Sequence, residues 1–195
     1  MKKRIAFVHN AMWEMYNFRG ELLQELKAKG YEITVICPPD EKNAHYFTDL
    51  GIKLLTVPMS RKGTNIKEDV QLVKNLFKVY KKEKFDLVFH YTIKPNIYGT
   101  LAAKLAGIKS IAITTGLGYV FLHNNITSLI AKFMYKFSLA FANEVWFLND
   151  DDMNIFLDKD LITERQAFKL PSEGINTKRF VPKEKNRKDS KTVFL

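Results

Sequence analysis

The chain has 195 residues, of which 46% are hydrophobic, and a formal net charge of +10. This composition excludes a disordered chain, and the longest apolar stretch (128–142), broken by Lys132 and Lys136, falls short of the ~20 apolar residues of a spanning helix. A single cysteine, Cys37, excludes an intrachain disulfide and fits a reducing, cytoplasmic setting, while the basic excess favours anionic partners.

The opening MKKRIAFVHN is basic then apolar. Its apolar run is too short for a signal peptide and lacks a small-residue cleavage site, so RIAFVH (4–9) reads as a first buried strand. A loop, NAMWEMYN, then leads to the helix FRGELLQELKAKG, with Leu22, Leu23 and Leu26 on one side and Gly30 placed to end it. YEITVIC (31–37) is a second strand, stopped by Pro38 and Pro39. Residues 40–50 suit a short helix and IKLLTV (52–57) a third strand. From Ile66, apolar residues recur at Val70, Val73, Phe77 and Tyr80, the spacing of a long amphipathic helix. FDLVFHY (85–91) is strand four. Pro95 opens NIYGTLAAKLAG, a helix closed by Gly107. KSIAIT is strand five, EVWFLN (144–149) strand six and AFKLP (167–171) strand seven. The helix 128–142 between five and six carries lysines and aromatics that suit a membrane interface, but packing on the sheet with snorkelling lysines explains them as well and is the favoured reading.

Alternating strands and helices, with nearly continuous apolar strands, imply an α/β fold: a Rossmann-like parallel sheet with helices on both faces. Ligands of such sheets bind outside the carboxyl ends of the strands. The loops to inspect are therefore HNAMWEMYNFR, PPDE, HYTIKPN, TTGLGYVF, NDDD and PSEGIN.

No G-x-G-x-x-G follows strand one and there is no Walker A sequence, which argues against nicotinamide, flavin and P-loop chemistry. The four histidines, His9, His45, His90 and His123, show no metal-ligand spacing. His9 and His90 lie at strand ends, where a structural role outweighs a catalytic one. Arg19, at the expected start of the first helix, and Lys94, before Pro95, are candidate anion sites at helix N-termini. Tyr91, Thr92, Asn96 and Tyr98 add the hydroxyl, amide and aromatic groups that suit sugars. In NDDD, Asn149 or Asp150 caps the helix DDMNIFL rather than binding a metal. The basic residues are dispersed rather than interleaved with stacking aromatics, which argues against nucleic acid.

PSEGINTKRFVP (171–182) resembles the end of the N-terminal domain in family-4 retaining glycosyltransferases, through Gly174, Ile175, Asn176, Arg179, Phe180 and Pro182. HYTIKPNIYGTLAAKLAG followed by ITTGLGYVF resembles a bacterial subgroup that builds surface polysaccharides and protein glycans. The resemblance covers 1–182 and implies one half of a two-domain GT-B enzyme. Residues 1–182 would bind the acceptor. Residues 183–195 would be a linker and the start of a C-terminal nucleotide-sugar domain, so that this stretch alone would be inactive. It further implies metal-independent, retaining transfer of a hexose or N-acetylhexosamine, with no cofactor. The donor would be a nucleotide-sugar, mostly UDP-linked, and the acceptor a polyprenyl-diphosphate-linked sugar at the cytoplasmic membrane face. The residues it points to for the acceptor are Arg19, His90, Lys94, Asn96 and Tyr119. Thr115, Gly116 and Gly118 would supply cleft backbone, and Gly174 and Asn176 would lie between domains. Many relatives place a histidine just after strand five; Thr115-Gly116 stands there in this chain, so no catalytic side chain is assigned. The alternatives are a UDP-N-acetylglucosamine 2-epimerase-like enzyme of the same architecture and a non-catalytic basic lipid-binding module.

Overall fold

The computed structural model describes residues 2–61, 63, 65–117, 121, 126–171, 174, 176, 177 and 181. Seven parallel strands are hydrogen-bonded in the order β3-β2-β1-β4-β5-β6-β7. They are β1 (Arg4–Val8), β2 (Glu32–Cys37), β3 (Lys53–Thr56), β4 (Leu87–Tyr91), β5 (Lys109–Thr114), β6 (Glu144–Phe147) and β7 (Ala167–Lys169). The helices are α1 (Met12–Ala28), α2 (His45–Asp49), α3 (Ile66–Glu83), α4 (Thr100–Ala106), α5 (Ile126–Leu139) and α6 (Asp150–Asp158). A π-helical turn (Pro95–Gly99) runs directly into α4. The expected α/β architecture is the observed one. The expected linker and second-domain start at 183–195 lie outside the described residues.

Strand alternation decides what each side chain meets. Phe7, Val35, Ile111 and Ile113 join one core cluster, completed by Met12, Met15 and Leu23 of α1 and Phe47 of α2. Ala6, Val8 and Val88 face the other way, into Leu72, Leu76 and Tyr80 of α3 and the alanines of α4. Further along that face, Ala112, Val145 and Phe147 pack with Tyr135 and Leu139 of α5 and Phe156 of α6. Burying each large side chain contributes roughly 1.5–3 kcal/mol.

Two expectations shift. α1 begins at Met12, six residues before the expected start. Its cap, Ala11, makes no side-chain capping bond, so no local polar signal marks the beginning. The buried stripe Met12–Met15–Arg19–Leu23 holds it instead. α3 starts at Ile66 as expected, but its buried face is rotated: Asp69, Leu72, Leu76 and Tyr80 are inside, while Ile66 and Val70 are exposed. Asp69 turns inward because it has a cationic partner there. The caps follow the usual chemistry. The side chain of Asn65 accepts from the amides of Lys67 and Glu68, Asn149 accepts from Asp152 at 2.7 Å, and Gly107 ends α4 with φ +73°.

Candidate functional site

The strand order reverses direction between β1 and β4, so the crevice beyond Val8 and Tyr91 is where a ligand of this fold is expected. His9 leaves β1 there. Its Nδ1 accepts the Ala11 amide at 3.0 Å, so the neutral ring carries its proton on Nε2, 3.7 Å from Glu14 Oε2. Burial, then the Arg19 and Arg61 charges, lower its pKa to about 3. His9 is therefore uncharged near neutrality. Glu14 is also gripped by the Arg61 guanidinium.

Arg19 belongs to this cluster, though not as a helix N-terminal residue. It sits mid-helix on the buried stripe of α1, 4% exposed. Its guanidinium lies 4.6 Å from the centroid of the Tyr91 ring, and Tyr91 stacks on His9 at 6.0 Å. A cation held over an aromatic face keeps its charge while shedding water. The premise of an anion site at a helix end is thus corrected, and a different device puts the cation at the crevice.

Lys94 departs from expectation more strongly. Rather than a bare cation at a helix start, it is buried, donating to Asp69 Oδ1 at 2.7 Å and Ser60 Oγ at 2.8 Å. Tyr98 donates to the other Asp69 oxygen at 2.8 Å; burial and that carboxylate raise its pKa. The pair is internally neutralised. It forms part of the wall of a cavity of about 410 Å³ between the loop after β3 and the first turns of α3, with Met59, Glu68 and Gln71. The loop 58–61 serves both clusters, Ser60 for Lys94 and Arg61 for Glu14.

His90 is fully enclosed. It shares strand parity with Val88, so it points into the α3–α4 layer. Its ring nitrogens contact Tyr80 OH at 2.9 Å and Thr100 Oγ1 at 3.3 Å, and burial lowers its pKa to about 3. A Cβ on Gly99 would come within 2.5 Å of the ring, so the π turn needs glycine there to lie on β4. No ring atom is left open to an acceptor, and the acceptor-binding expectation for His90 is withdrawn on these contacts. Asn96 is also buried; it donates to the Ile113 carbonyl at 3.1 Å, tying the π turn to the end of β5.

At the carboxyl ends of β4 and β5, beyond the Tyr91–Ile113 pair, stand Thr92 and Thr114. Thr92 has φ +71°, a costly conformation for a β-branched residue. Both hydroxyl oxygens are buried without a hydrogen-bond partner among the described residues. Thr115 and Gly116 follow, exposed, with Gly116 at φ +148°. Gly118 and Tyr119 lie outside the described residues. Gly174 is exposed, and Asn176 donates to Glu21 of α1 at 2.5 Å, bringing the segment after β7 back to the helix that carries Arg19. Sequence reasoning missed Asp69, Ser60 and Arg61, whose roles come from tertiary packing and leave no local signal. Among the described residues no three His, Cys, Asp or Glu are grouped to hold a metal ion.

The pattern of the glycosyl transferase 4-like family matches residues 4–149. The chain is 32% identical over 187 residues to the N,N'-diacetylbacillosaminyl-diphospho-undecaprenol alpha-1,3-N-acetylgalactosaminyltransferase of Campylobacter jejuni, covering 92% of this chain and 48% of that protein. It thus spans about half the length of that curated relative. A crystal structure of a glycosyltransferase from Rickettsia africae has TM-score 0.63 at 19% identity, over 92% of this chain and 45% of that one. The UDP-GlcNAc 2-epimerase of Neisseria meningitidis, bound to UDP-GlcNAc, has TM-score 0.64 at 14% identity, over 87% and 47%. These two likenesses establish the fold and do not separate a transferase from an epimerase.

Proposed function

The chain belongs to the glycosyl transferase 4-like family, and from that premise we propose that it is the acceptor-binding half of a bacterial glycosyltransferase. The enzyme moves a hexose or N-acetylhexosamine from a nucleotide-sugar, UDP-linked, to a sugar on a polyprenyl diphosphate. The observation that carries this reading is the 32% identity, along 92% of the chain, to a transferase acting on a diphospho-undecaprenol-linked sugar. The epimerase reading has fold likeness alone in its favour.

The residues support a division of work. Arg19, desolvated over Tyr91, is the cation suited to the acceptor diphosphate. The Lys94–Asp69–Tyr98 network holds the wall of a cavity lined by Pro58, Met59 and Leu72 with a few polar groups, Glu68, Gln71 and Asn75, a mainly apolar surface that suits the C–H face of a sugar with its hydroxyls met at the rim. Thr92 and Thr114 offer hydroxyls with unused bonding capacity at the crevice, and the Thr115–Gly116 backbone gives a sugar close approach. Asn96 positions that backbone through Ile113. Gly174 and Asn176 lie at the junction with a second domain, beginning after residue 182, that binds the donor. Transfer proceeds with retention, by positioning and electrostatic stabilisation of the leaving nucleotide, without a cofactor. The enzyme works peripherally at the inner face of the cell membrane.

The test is turnover by the full-length gene product with a panel of UDP-sugars, with and without a lipid-diphosphate-linked sugar. Acceptor-dependent product, with the anomeric configuration of the donor by proton coupling constants, is expected. Residues 1–195 alone should show no transfer. Conversion of the UDP-sugar without acceptor would favour the epimerase, and absence of any turnover the lipid-binding module.

A further inference from the structure

We propose that the solvent face of α5 docks on an anionic lipid bilayer. α5 (ITSLIAKFMYKFSL) contains two lysines and no acidic residue. One side, through Tyr135 and Leu139, packs against Ala112 and Phe156. The opposite side is equally apolar: Ile126 is 78% exposed, Leu129 69%, Ile130 55%, Phe133 68% and Phe137 51%. At ~100° per residue these five fall within roughly 100° of arc, a single stripe. A helix on the surface of a soluble protein carries polar residues there. The stripe continues into exposed Phe141, and exposed Leu105 of neighbouring α4 adds to it.

Charge selects the occupant. Lys136 flanks the stripe in the open, and Lys104 of α4 holds its ammonium 5.5 Å from the Phe141 ring, at the edge of the patch. Large apolar side chains bordered by lysines match the interface of an anionic bilayer, where rings enter the acyl boundary and ammonium groups meet the headgroups. Packing on the sheet, the favoured of the two expectations for this helix, uses the other side only. The stripe also starts in the right place. α5 follows β5, so exposed Ile126 heads the helix on the sheet edge that carries Thr114 and Gly116. The inference rests on the proposed function only for its purpose, reaching a lipid-linked acceptor.

The experiment is co-sedimentation of the full-length gene product with vesicles of phosphatidylglycerol and phosphatidylethanolamine, against pure phosphatidylcholine. Turnover on a short-chain, water-soluble lipid-diphosphate-sugar is measured in parallel. Binding to the anionic vesicles that weakens with salt is expected. The pair Phe133→Ser with Phe137→Ser should lower vesicle partition about tenfold, with turnover on the soluble acceptor unchanged. Lys104→Glu with Lys136→Glu should do the same without touching the apolar stripe, while Phe168→Ser on β7 should bind as the parent does. Three results would overturn the proposal: partition no greater on anionic than on zwitterionic vesicles, a dimer that the serine pair dissociates, or protection of the Phe133 and Phe137 side chains from hydroxyl-radical oxidation without vesicles, marking the face as covered by the rest of the protein. Vesicle binding without turnover would count against the transferase reading and leave the docking face standing.

Discussion

The two edges of the sheet use charge differently. At the amino ends of the strands, half-exposed cations close over a buried carboxylate, Glu83. Arg4 and Lys53 reach Glu83 at 2.9 and 2.7 Å, and the Arg4 amide donates to Asp86 at 2.8 Å. The hydrogen bond from Lys53 holds the Glu83 carboxyl below its usual pKa, and that from the Arg4 amide does so for Asp86. At the carboxyl ends, the polar groups are buried. Lys94 and Asp69 pair out of solvent, His9 is held neutral, Arg19 lies over an aromatic ring, and two threonine hydroxyls lack partners among the described residues. The first edge is stapled. The second retains bonding capacity, as a binding edge must, at a cost in strain and desolvation.

The sharpest way to break this contrast is to remove one cation from each edge. Lys94→Met leaves Asp69 buried and unpaired, and urea unfolding should show a loss of about 3–5 kcal/mol. Lys53→Met, on the half-exposed edge, should cost under about 1 kcal/mol. Similar losses at both edges would erase the distinction. Lys94→Met combined with Asp69→Leu should recover most of the stability.

Acid sharpens it next. His9 and His90 have folded pKa values of about 3 against an ordinary 6.5, so below pH 6.5 the unfolded state binds more protons. Their contribution is complete above pH 6.5 and lost as pH falls toward 3, at about 1.4 kcal/mol per pH unit for each histidine. Glu83, with its pKa lowered, adds a loss of the same sign only below about its ordinary value of 4.5. Stability measured from pH 7 to 5 should therefore report the two buried histidines, His9 at the crevice and His90 beneath it, and not the Glu83 edge; a flat profile there would show that the histidines are not buried neutral. His90→Gln should roughly halve the slope.

The smallest effect concerns Thr92. Thr92→Gly relieves φ +71° and should stabilise the fold by no more than about 1 kcal/mol while weakening acceptor use. A destabilised variant with unchanged acceptor KM would mean that the strain serves packing.

The sheet was legible because its signals are local: apolar runs, capping Asn149, terminating Gly107. The candidate site was legible only in outline. Arg19 and Lys94 stand at the expected edge, but their partners are set by tertiary packing. Asp69 is 25 residues from Lys94, and no periodicity announces the pairing. The rotated face of α3 has the same origin, since a hydrophobic pattern cannot register an inward-facing carboxylate. The early start of α1 escaped because nothing caps it. His90 was misplaced for a reason the sequence does contain: it shares strand parity with core Val88.

The central claim, that the carboxyl edge of this domain holds a diphosphate-bearing acceptor, is tested most directly by acceptor kinetics of Arg19→Lys and Arg19→Ala in the full-length gene product, with Lys53→Ala as the opposite-edge control and circular dichroism to confirm folding. The expected result is a rise in acceptor KM of about ten- to a hundredfold for Arg19→Ala, the loss of one charge-assisted contact. The rise should be smaller for Arg19→Lys, with donor KM and the Lys53→Ala control little changed. An acceptor KM indifferent to Arg19, in a folded and active variant, would contradict it.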